Sequence, residues 1–253
     1  MPLAPILALL MLWQVSSGSG LIDRALFSAP TDVGSELVDL YVKGLPARSV
    51  LLTHVGVTLK RVLLATAIGV LLGAMGGVVM GLSRLAYRFF DPLIAVIMPI
   101  PGIAMAPLFI VWLGFGDPTI ITLGIVATLF PVLYNTAAGV RSIDPQLVRA
   151  AQIMGANKAL VLFGIYLPWA ASYLLTGIKL GLAHCWRTVI AVEFIAATNW
   201  GLGYMIWDAA EYLRAGVVYG GIVLLIGIYF VMEKGFIQTI ERNSVEKWGV
   251  VRK

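Results

Sequence analysis

Charged side chains are scarce in this chain. Asp, Glu, Lys and Arg make up 12% of its 253 residues, and 60% of the residues are hydrophobic. Soluble domains have about 25% charged and about 45–50% apolar residues. A soluble enzyme, a secreted disulfide scaffold, a coiled coil and a disordered tail are therefore poor interpretations. The mean hydropathy of +0.93 points to an integral membrane protein.

Cysteine and histidine are almost absent. Cys185 is the only cysteine, so the chain cannot form an internal disulfide or a cysteine cluster. With only His54 and His184 there are too few histidines for a His-based metal site. There is no G-x-x-x-x-G-K-[ST] loop to hold nucleotide phosphates. We therefore expect no metal, no other cofactor and no catalysis on this chain. The net charge of +5 fits basic cytoplasmic loops better than nucleic-acid binding.

Apolar windows bounded by charged residues or by Gly and Pro predict an all-α membrane protein with about six transmembrane helices. The first transmembrane helix occupies residues 1–20, and an amphipathic periplasmic segment follows at 21–50. The transmembrane core spans 51–236 and includes the loop 141–167, and a cytoplasmic tail covers 237–253. A signal peptide is the alternative interpretation of residues 1–20, but this segment lacks the basic n-region of a signal peptide. The six predicted spans are 3–17, 51–82, 92–114, 119–140, 169–192 and 217–236, with a loop over 83–91.

The distribution of basic residues predicts the orientation, because cytoplasmic loops are rich in Lys and Arg. The segments on one side of the membrane have four basic residues, Arg24, Lys43, Arg48 and Arg214. The segments on the other side have more. The loops 83–91 and 141–167 and the chain from residue 234 onward have ten: Arg84, Arg88, Arg141, Arg149, Lys158, Lys234, Arg242, Lys247, Arg252 and Lys253. We expect this larger set, and both termini, on the cytoplasmic side.

The second predicted span has a small residue at every fourth position. Such a stripe is about 24 Å long at ~1.5 Å rise per residue and lets another helix approach closely. We favour a helix of the same chain as the contact, with a second subunit as the alternative. The stripe consists of Ala65, Gly69, Gly73, Gly77 and Gly81.

Two further segments have features of functional interest. Asp144-Pro145 predicts the start of a short helix over 146–154, and Gly155 predicts its end. In the fifth span, Trp186 and Glu193 lie on one face together with Lys179, and Arg187 lies beside them at membrane depth. We interpret Trp186, Arg187 and Glu193 as candidate pathway residues, with a purely structural role as the alternative. Residues 196–212 would re-enter the membrane as a gate, with rim residues Asn199, Trp200 and Trp207.

The loop 141–167 resembles the cytoplasmic signature loop of permeases from binding-protein-dependent ABC importers. The matching residues are Ala150-Ala151, Gly155 and Ile165-Tyr-Leu167-Pro168. The resemblance implies that the short helix is a coupling helix that docks on an ATPase subunit. It places ATPase coupling at Arg149, Ala150, Ala151, Gly155 and Ala156. The family usually has Glu where this chain has Arg149, so a salt bridge attributed to that Glu cannot be transferred.

Other motifs are similar to the nitrate/sulfonate/taurine branch of these permeases. The resemblance implies a bacterial inner-membrane protein that imports a small anion by alternating access, with a second and usually identical permease subunit. It also implies two ATPase subunits that bind ATP and Mg, and a periplasmic substrate-binding protein. A secondary transporter or channel is the alternative, but it should show inverted repeats of broken helices. The motifs are Asp91-Pro92, Pro99-Ile-Pro101, Ala106-Pro107-Leu108, Trp112-Leu-Gly-Phe-Gly116, Ala191-Val-Glu193 and Gly201-Leu-Gly203-Tyr-Met-Ile-Trp-Asp208.

Overall fold

The structure is a computed structural model that describes residues 3–19, 27–42 and 50–237. These residues form α-helices and two π-helical turns, Leu162–Tyr166 and Glu233–Ile237, and include no strand. The predicted tail, apart from its first residue, lies outside the described residues, as do 20–26 and 43–49. The helices are α1 (Leu3–Gly18), α2 (Pro30–Val42), α3 (Val50–Leu82), α4 (Arg84–Ile97), α5 (Gly102–Leu113), α6 (Asp117–Arg141), α7 (Pro145–Ile153), α8 (Lys158–Val161), α9 (Leu167–Ala196), α10 (Leu202–Glu211) and α11 (Ala215–Met232).

The described residues contain four helical segments long and apolar enough to cross a membrane. They are Val50–Leu82, Asp117–Arg141, Lys158–Ala196 and Ala215–Gly235, and α4 with α5 makes a fifth if that bent pair counts as one span. The helix α1 is apolar but has only 16 residues, fewer than the ~20 that a span needs. The all-helical membrane class is therefore confirmed, and the count of six spans stays a prediction.

The segment 83–113 differs from the prediction of a loop followed by one span. Helix α4 begins directly after Ser83, whose hydroxyl accepts a hydrogen bond from the Ala86 amide at 3.2 Å. The residues Arg84 and Arg88 are thus helical, and the loop prediction was wrong because charged residues are tolerated on the exposed face of an amphipathic helix. The helices α4 and α5 are bent by 100° at the break before Gly102, where Pro99 and Pro101 interrupt the hydrogen-bond ladder.

Helix α6 is the centre of the bundle and packs between α3 and α9. The glycine stripe of α3 faces α6, and each glycine lies against a side chain of a second stripe, Thr128, Val132, Thr136 and Val140. A Cβ added at Gly73 would lie 2.8 Å from both the Leu129 carbonyl oxygen and the Val132 Cβ. From the other side, Gly177 and Gly181 of α9 also approach α6 closely, with the nearest α6 atom 3.0 Å from an added Cβ at each. Because these glycines have no side chain, the backbones of α3 and α9 can both come close to the backbone of α6.

The amphipathic segment packs on α11. Val33 of α2 is buried, and Leu37 covers Gly220 of α11. The helix α1 joins the same group, because the ring of Trp13 lies 5.6 Å from that of Tyr219 and its Nε1 donates to the Ser28 carbonyl oxygen. The first two helices therefore form a side layer on α11, and α2 also contacts α3.

Candidate functional site

A buried carboxylate lies where α3 and α9 meet, close to the end of α9. The side chain of Glu193 is fully buried. Its Oε1 accepts a hydrogen bond from Arg61 Nη1 at 2.7 Å, and both oxygens accept from the Thr58 hydroxyl at 2.9 and 3.0 Å. The Gly203 amide donates to Oε2 at 2.9 Å. The carboxylate is thus surrounded by donors, as a charged group at this depth requires.

Arg61 extends this junction to two further segments. Its Nε donates to Asp117 Oδ1 at 2.8 Å, and its Nη1 donates to the Trp200 carbonyl oxygen at 2.7 Å. Asp117 is the first residue of α6, and Trp200 belongs to the bend between α9 and α10. In addition, the Gly116 amide donates to the Ala196 carbonyl oxygen at 2.7 Å. One guanidinium therefore links α3, α6, α9 and the bend, and we call this group the Arg61–Glu193 junction.

Two glycines let the bend after α9 fold over the carboxylate. Gly201 has φ +143°, and a Cβ there would lie 2.6 Å from Glu193 Cδ. A Cβ at Gly203 would lie 2.7 Å from Glu193 Cβ. His54 also holds this bend, because its Nδ1 lies 2.9 Å from the Gly201 carbonyl oxygen and 3.1 Å from the Gly201 amide nitrogen. Any larger residue at either glycine would displace the carboxylate or the bend.

The structure separates the predicted pathway residues. Glu193 lies inside the junction, and Trp186 is buried with its ring 6.2 Å from that of Tyr229. Asn199 is exposed at the bend, and the half-buried Trp200 packs its ring 5.1 Å from that of His54. Arg187 is exposed, and its Nε donates to the Ala183 carbonyl oxygen of its own helix at 3.1 Å. Arg187 and Glu193 therefore do not pair with each other.

The sequence analysis did not identify Arg61, Thr58 and His54. All three face the bend from α3, because positions 54, 58 and 61 lie on one face of a helix. A cation inside an apolar run also indicates a functional or paired residue. These two signals together would have marked Arg61 as a residue with a polar contact inside the bundle, without identifying Glu193 as its partner.

Arg187 lines a cavity of about 370 Å³ that lies between the α4–α5 break, α6 and α9. The wall is mostly apolar and includes Met98, Leu123 and Phe130. Beside Arg187, the polar side chains of the lining are those of His184 and Thr188. The close packing of Thr188 against Gly102, where a Cβ would overlap the threonine, holds the start of α5 against α9. The cavity thus combines one cation and two hydrogen-bonding groups with apolar walls.

The short helix predicted within 141–167 is present as α7. The Asp144 carboxylate accepts a hydrogen bond from the Gln146 amide at 2.8 Å, Pro145 is the first helical residue, and Gly155 has φ +90° after the helix end. None of the α7 residues is buried. Beside its end lies a hollow of about 360 Å³, lined by Ala151, Met154, Gly155, Ala156, Leu160, Gly164 and Ile165. All five predicted coupling residues therefore lie on α7 or line this hollow, and Arg149 and Ala150 are exposed on α7.

Residues 48–233 match a protein family described as the binding-protein-dependent transport system inner membrane component. The chain is 35% identical to the taurine transport system permease protein TauC of Escherichia coli K12, over 96% of this chain and 88% of that protein. It is 28% identical to the putative aliphatic sulfonates transport permease protein SsuC of Bacillus subtilis, over 95% and 84%. It is also 28% identical to the bicarbonate transport system permease protein CmpB of Synechococcus elongatus, over 83% and 77%.

Proposed function

Because the chain belongs to the family of inner membrane components of binding-protein-dependent transport systems and is a permease subunit of an ABC importer, we propose that its cargo is a small anion and that the cavity beside Arg187 is part of the translocation pathway. The alternative of a secondary transporter or channel without ATPase partners is set aside by this membership. The proposal for the site rests on one observation, the position of Arg187 in the cavity wall.

A cation in an apolar cavity is expensive unless an anion approaches it. The only acidic residue of α9, Glu193, already accepts from Arg61, so the Arg187 guanidinium in the cavity wall is left for an anionic cargo to contact. A guanidinium matches a planar or tetrahedral oxyanion with two parallel hydrogen bonds. His184 and Thr188 add hydrogen-bonding groups, and the apolar wall accommodates an organic substituent. This arrangement suits a sulfonate such as taurine, and also nitrate or bicarbonate.

The proposed transport cycle is supported by the positions of the Arg61–Glu193 junction and α7 at opposite ends of the bundle. The Arg61–Glu193 junction lies at the end where α3 and α6 begin, and α7 lies at the end where α6 stops. With the basic loops inside, the junction faces the periplasm, α7 faces the cytoplasm, and both termini are cytoplasmic. Asn199 and Trp200 then lie at the periplasmic rim, where a substrate-binding protein delivers the anion.

Energy for the cycle comes from partner subunits. Two ATPase subunits with bound ATP and Mg close on each other and move α7, which they contact through Arg149, Ala150, Ala151, Gly155 and Ala156. The movement switches the cavity between outward-facing and inward-facing states in a pair of permease subunits, usually identical. ATP binding must favour one of two states that already exist, because a ligand shifts states only through differential affinity.

The test is Arg187→Gln in the complete transporter reconstituted in proteoliposomes, with Arg187→Lys as the matched control. We expect Arg187→Gln to assemble and to retain basal ATPase activity but to lose most anion uptake at low substrate concentration. Arg187→Lys keeps the charge without the planar fork, so its uptake should be intermediate. Unchanged uptake in Arg187→Gln would show that Arg187 makes no contact with the anion, and failure to assemble would show that its role is structural.

A further inference from the structure

Helix α7 has an apolar surface that the described chain leaves uncovered. Ile153 is 87% exposed and Met154 is 82% exposed, and Leu147 and Phe163 are exposed nearby. The helix is fixed at both ends by its Asp144 cap and by Gly155. A rigid element with exposed large apolar side chains is typical of a protein-binding surface. Together with the hollow beside it, this helix forms what we call the α7 surface.

The charges of the α7 surface have one sign. Arg149 and Lys158 are exposed, and no ion-pair partner for either lies within the described ranges 3–19, 27–42 and 50–237. Arg141 stacks on the Tyr87 ring at 3.8 Å. The single acidic residue of 141–167 is Asp144, and its carboxylate accepts the hydrogen bond of the Gln146 amide at the start of α7. A protein that covers this surface has to face uncompensated positive charge around an apolar centre.

We propose that the ATPase cleft that receives α7 has an acidic side chain facing Arg149, so that the charge pairing selects this ATPase over others. The inference rests on the proposed function, because the occupant is the ATPase partner. Ile153 and Met154 enter the apolar part of the cleft, and Arg149 forms the ion pair at its edge. An ATPase with a basic residue at that position would meet Arg149 with like charge and be rejected.

An anionic lipid headgroup would also attract basic residues, but the shape of the α7 surface favours a protein. The bare side of α7 at Ala150 and Ala151 allows a partner backbone to come close. The adjoining hollow, lined by Gly155, Ala156 and Gly164, is of a size that accepts a protein side chain. A headgroup at the membrane surface needs neither a hollow nor a rigid short helix.

The experiment measures binding of the purified cognate ATPase to the permease in detergent micelles without anionic lipid. The variants are Arg149→Glu and Arg149→Lys, and the matched control is Arg84→Glu, which makes the same charge change at the same end of the bundle. We expect Arg149→Glu to weaken binding by about 10-fold or more, since it would place like charges opposite each other at the interface. Arg149→Lys should stay close to wild type, and Arg84→Glu should be unchanged.

A second step identifies the acidic partner. Suppressors of Arg149→Glu, selected for restored uptake, should map to an Asp→Lys or Glu→Lys change in the ATPase, and that change alone should impair the wild-type permease. Equal binding by Arg149→Glu and wild type would overturn the proposal, as would a defect that appears only in bilayers with phosphatidylglycerol or suppressors that never alter an ATPase carboxylate. Failure of the wild-type chain to bind any ATPase would instead contradict the proposed function itself.

Discussion

The Arg61 guanidinium and the Glu193 carboxylate form an ion pair with an Nη1–Oε1 distance of 2.7 Å inside the helix bundle. Their side chains are 5% and 0% exposed. A second ion pair, between Arg214 and Glu36, has a nearly identical distance of 2.8 Å, but its side chains are 51% and 39% exposed. The two pairs thus differ in burial and hardly at all in geometry. Removal of the cation leaves a buried carboxylate without a counter-charge only in the first pair.

The first prediction concerns the energy of the buried pair. Arg61→Gln should destabilise the fold by about 3–5 kcal/mol, because the fully buried Glu193 carboxylate loses its cation. Glu193→Gln should cost less, since Arg61 keeps Asp117 and the Trp200 carbonyl oxygen. The double variant should be less destabilised than the sum of the single variants. Thermal unfolding in detergent measures all three.

The exposed Arg214–Glu36 pair is the control for this double-mutant cycle. For Arg214→Gln and Glu36→Gln we expect a coupling energy of about 0–1 kcal/mol, as for other surface ion pairs. A coupling at Arg61–Glu193 as small as that at Arg214–Glu36 would contradict the view that burial makes the junction a strong link between α3, α9 and the bend.

The second prediction concerns the glycine stripe between α3 and α6. Gly73→Ala and Gly77→Ala should each lower the thermal midpoint, because even a methyl group would overlap the backbone of α6. Leucine at either position should lower it further. Gly56→Ala is the control, since a Cβ at this α3 residue has no atom within 4 Å. That change should be neutral or slightly stabilising because Ala favours helix. Equal effects at all three positions would mean that helix propensity, and not packing, is measured.

The sequence predicted those features of the fold that depend on local pattern. The spans corresponding to α3, α6, α9 and α11 follow from apolar length, and their ends lie within a few residues of the predicted ends. The ends of α7 follow from the Asp144 cap and from Gly155, both of which act on neighbouring residues. Helix α4 was missed because Arg84, Arg88 and Asp91, which an amphipathic helix tolerates on its exposed face, made 83–91 look like a polar loop.

The junction depends on contacts between distant residues, which no local pattern shows. Glu193 was recognisable as an unusual carboxylate at depth, but its partner Arg61 is 132 residues away. The polar face formed by His54, Thr58 and Arg61 indicates that α3 has a polar contact without indicating where. In the same way, the glycine stripe predicts close helix packing, and only the three-dimensional structure shows that α6 is the neighbour.

The third prediction tests the coupling role proposed for α7. Ala150→Trp and Ala151→Trp should impair association with the ATPase, because an indole on the small face keeps a partner backbone away. Membrane insertion and thermal stability should persist, since no α7 residue is buried in the chain. Gln146→Trp, at the exposed first turn, is the control for added bulk on the same helix. Normal substrate-stimulated ATP hydrolysis in both alanine variants would rule out the coupling assignment.

The last prediction concerns a buried hydroxyl in the α3–α6 contact. The Thr136 side chain is buried against Gly77, and its hydroxyl has no hydrogen-bond partner among the described residues. The Thr128 side chain lies against Gly69 in the equivalent position two turns earlier, but its hydroxyl donates to the Gly124 carbonyl oxygen at 3.0 Å. Both threonines thus pack against a glycine of α3, and they differ in whether the hydroxyl is satisfied.

Thr136→Val should therefore stabilise the fold, because it removes an unpaired polar group and keeps the shape of the side chain. A gain of about 1 kcal/mol corresponds to a rise of about 2–4 °C in the thermal midpoint for a chain of this size. Thr128→Val should give no rise or a small fall, since it removes a hydrogen bond. The comparison of both variants in the same detergent separates the effect on stability of losing the hydroxyl from the effect of gaining a methyl group. A stabilisation of equal size at Thr128 would show that the interface favours any added apolar group, and would leave the unpaired hydroxyl of Thr136 without an energetic role.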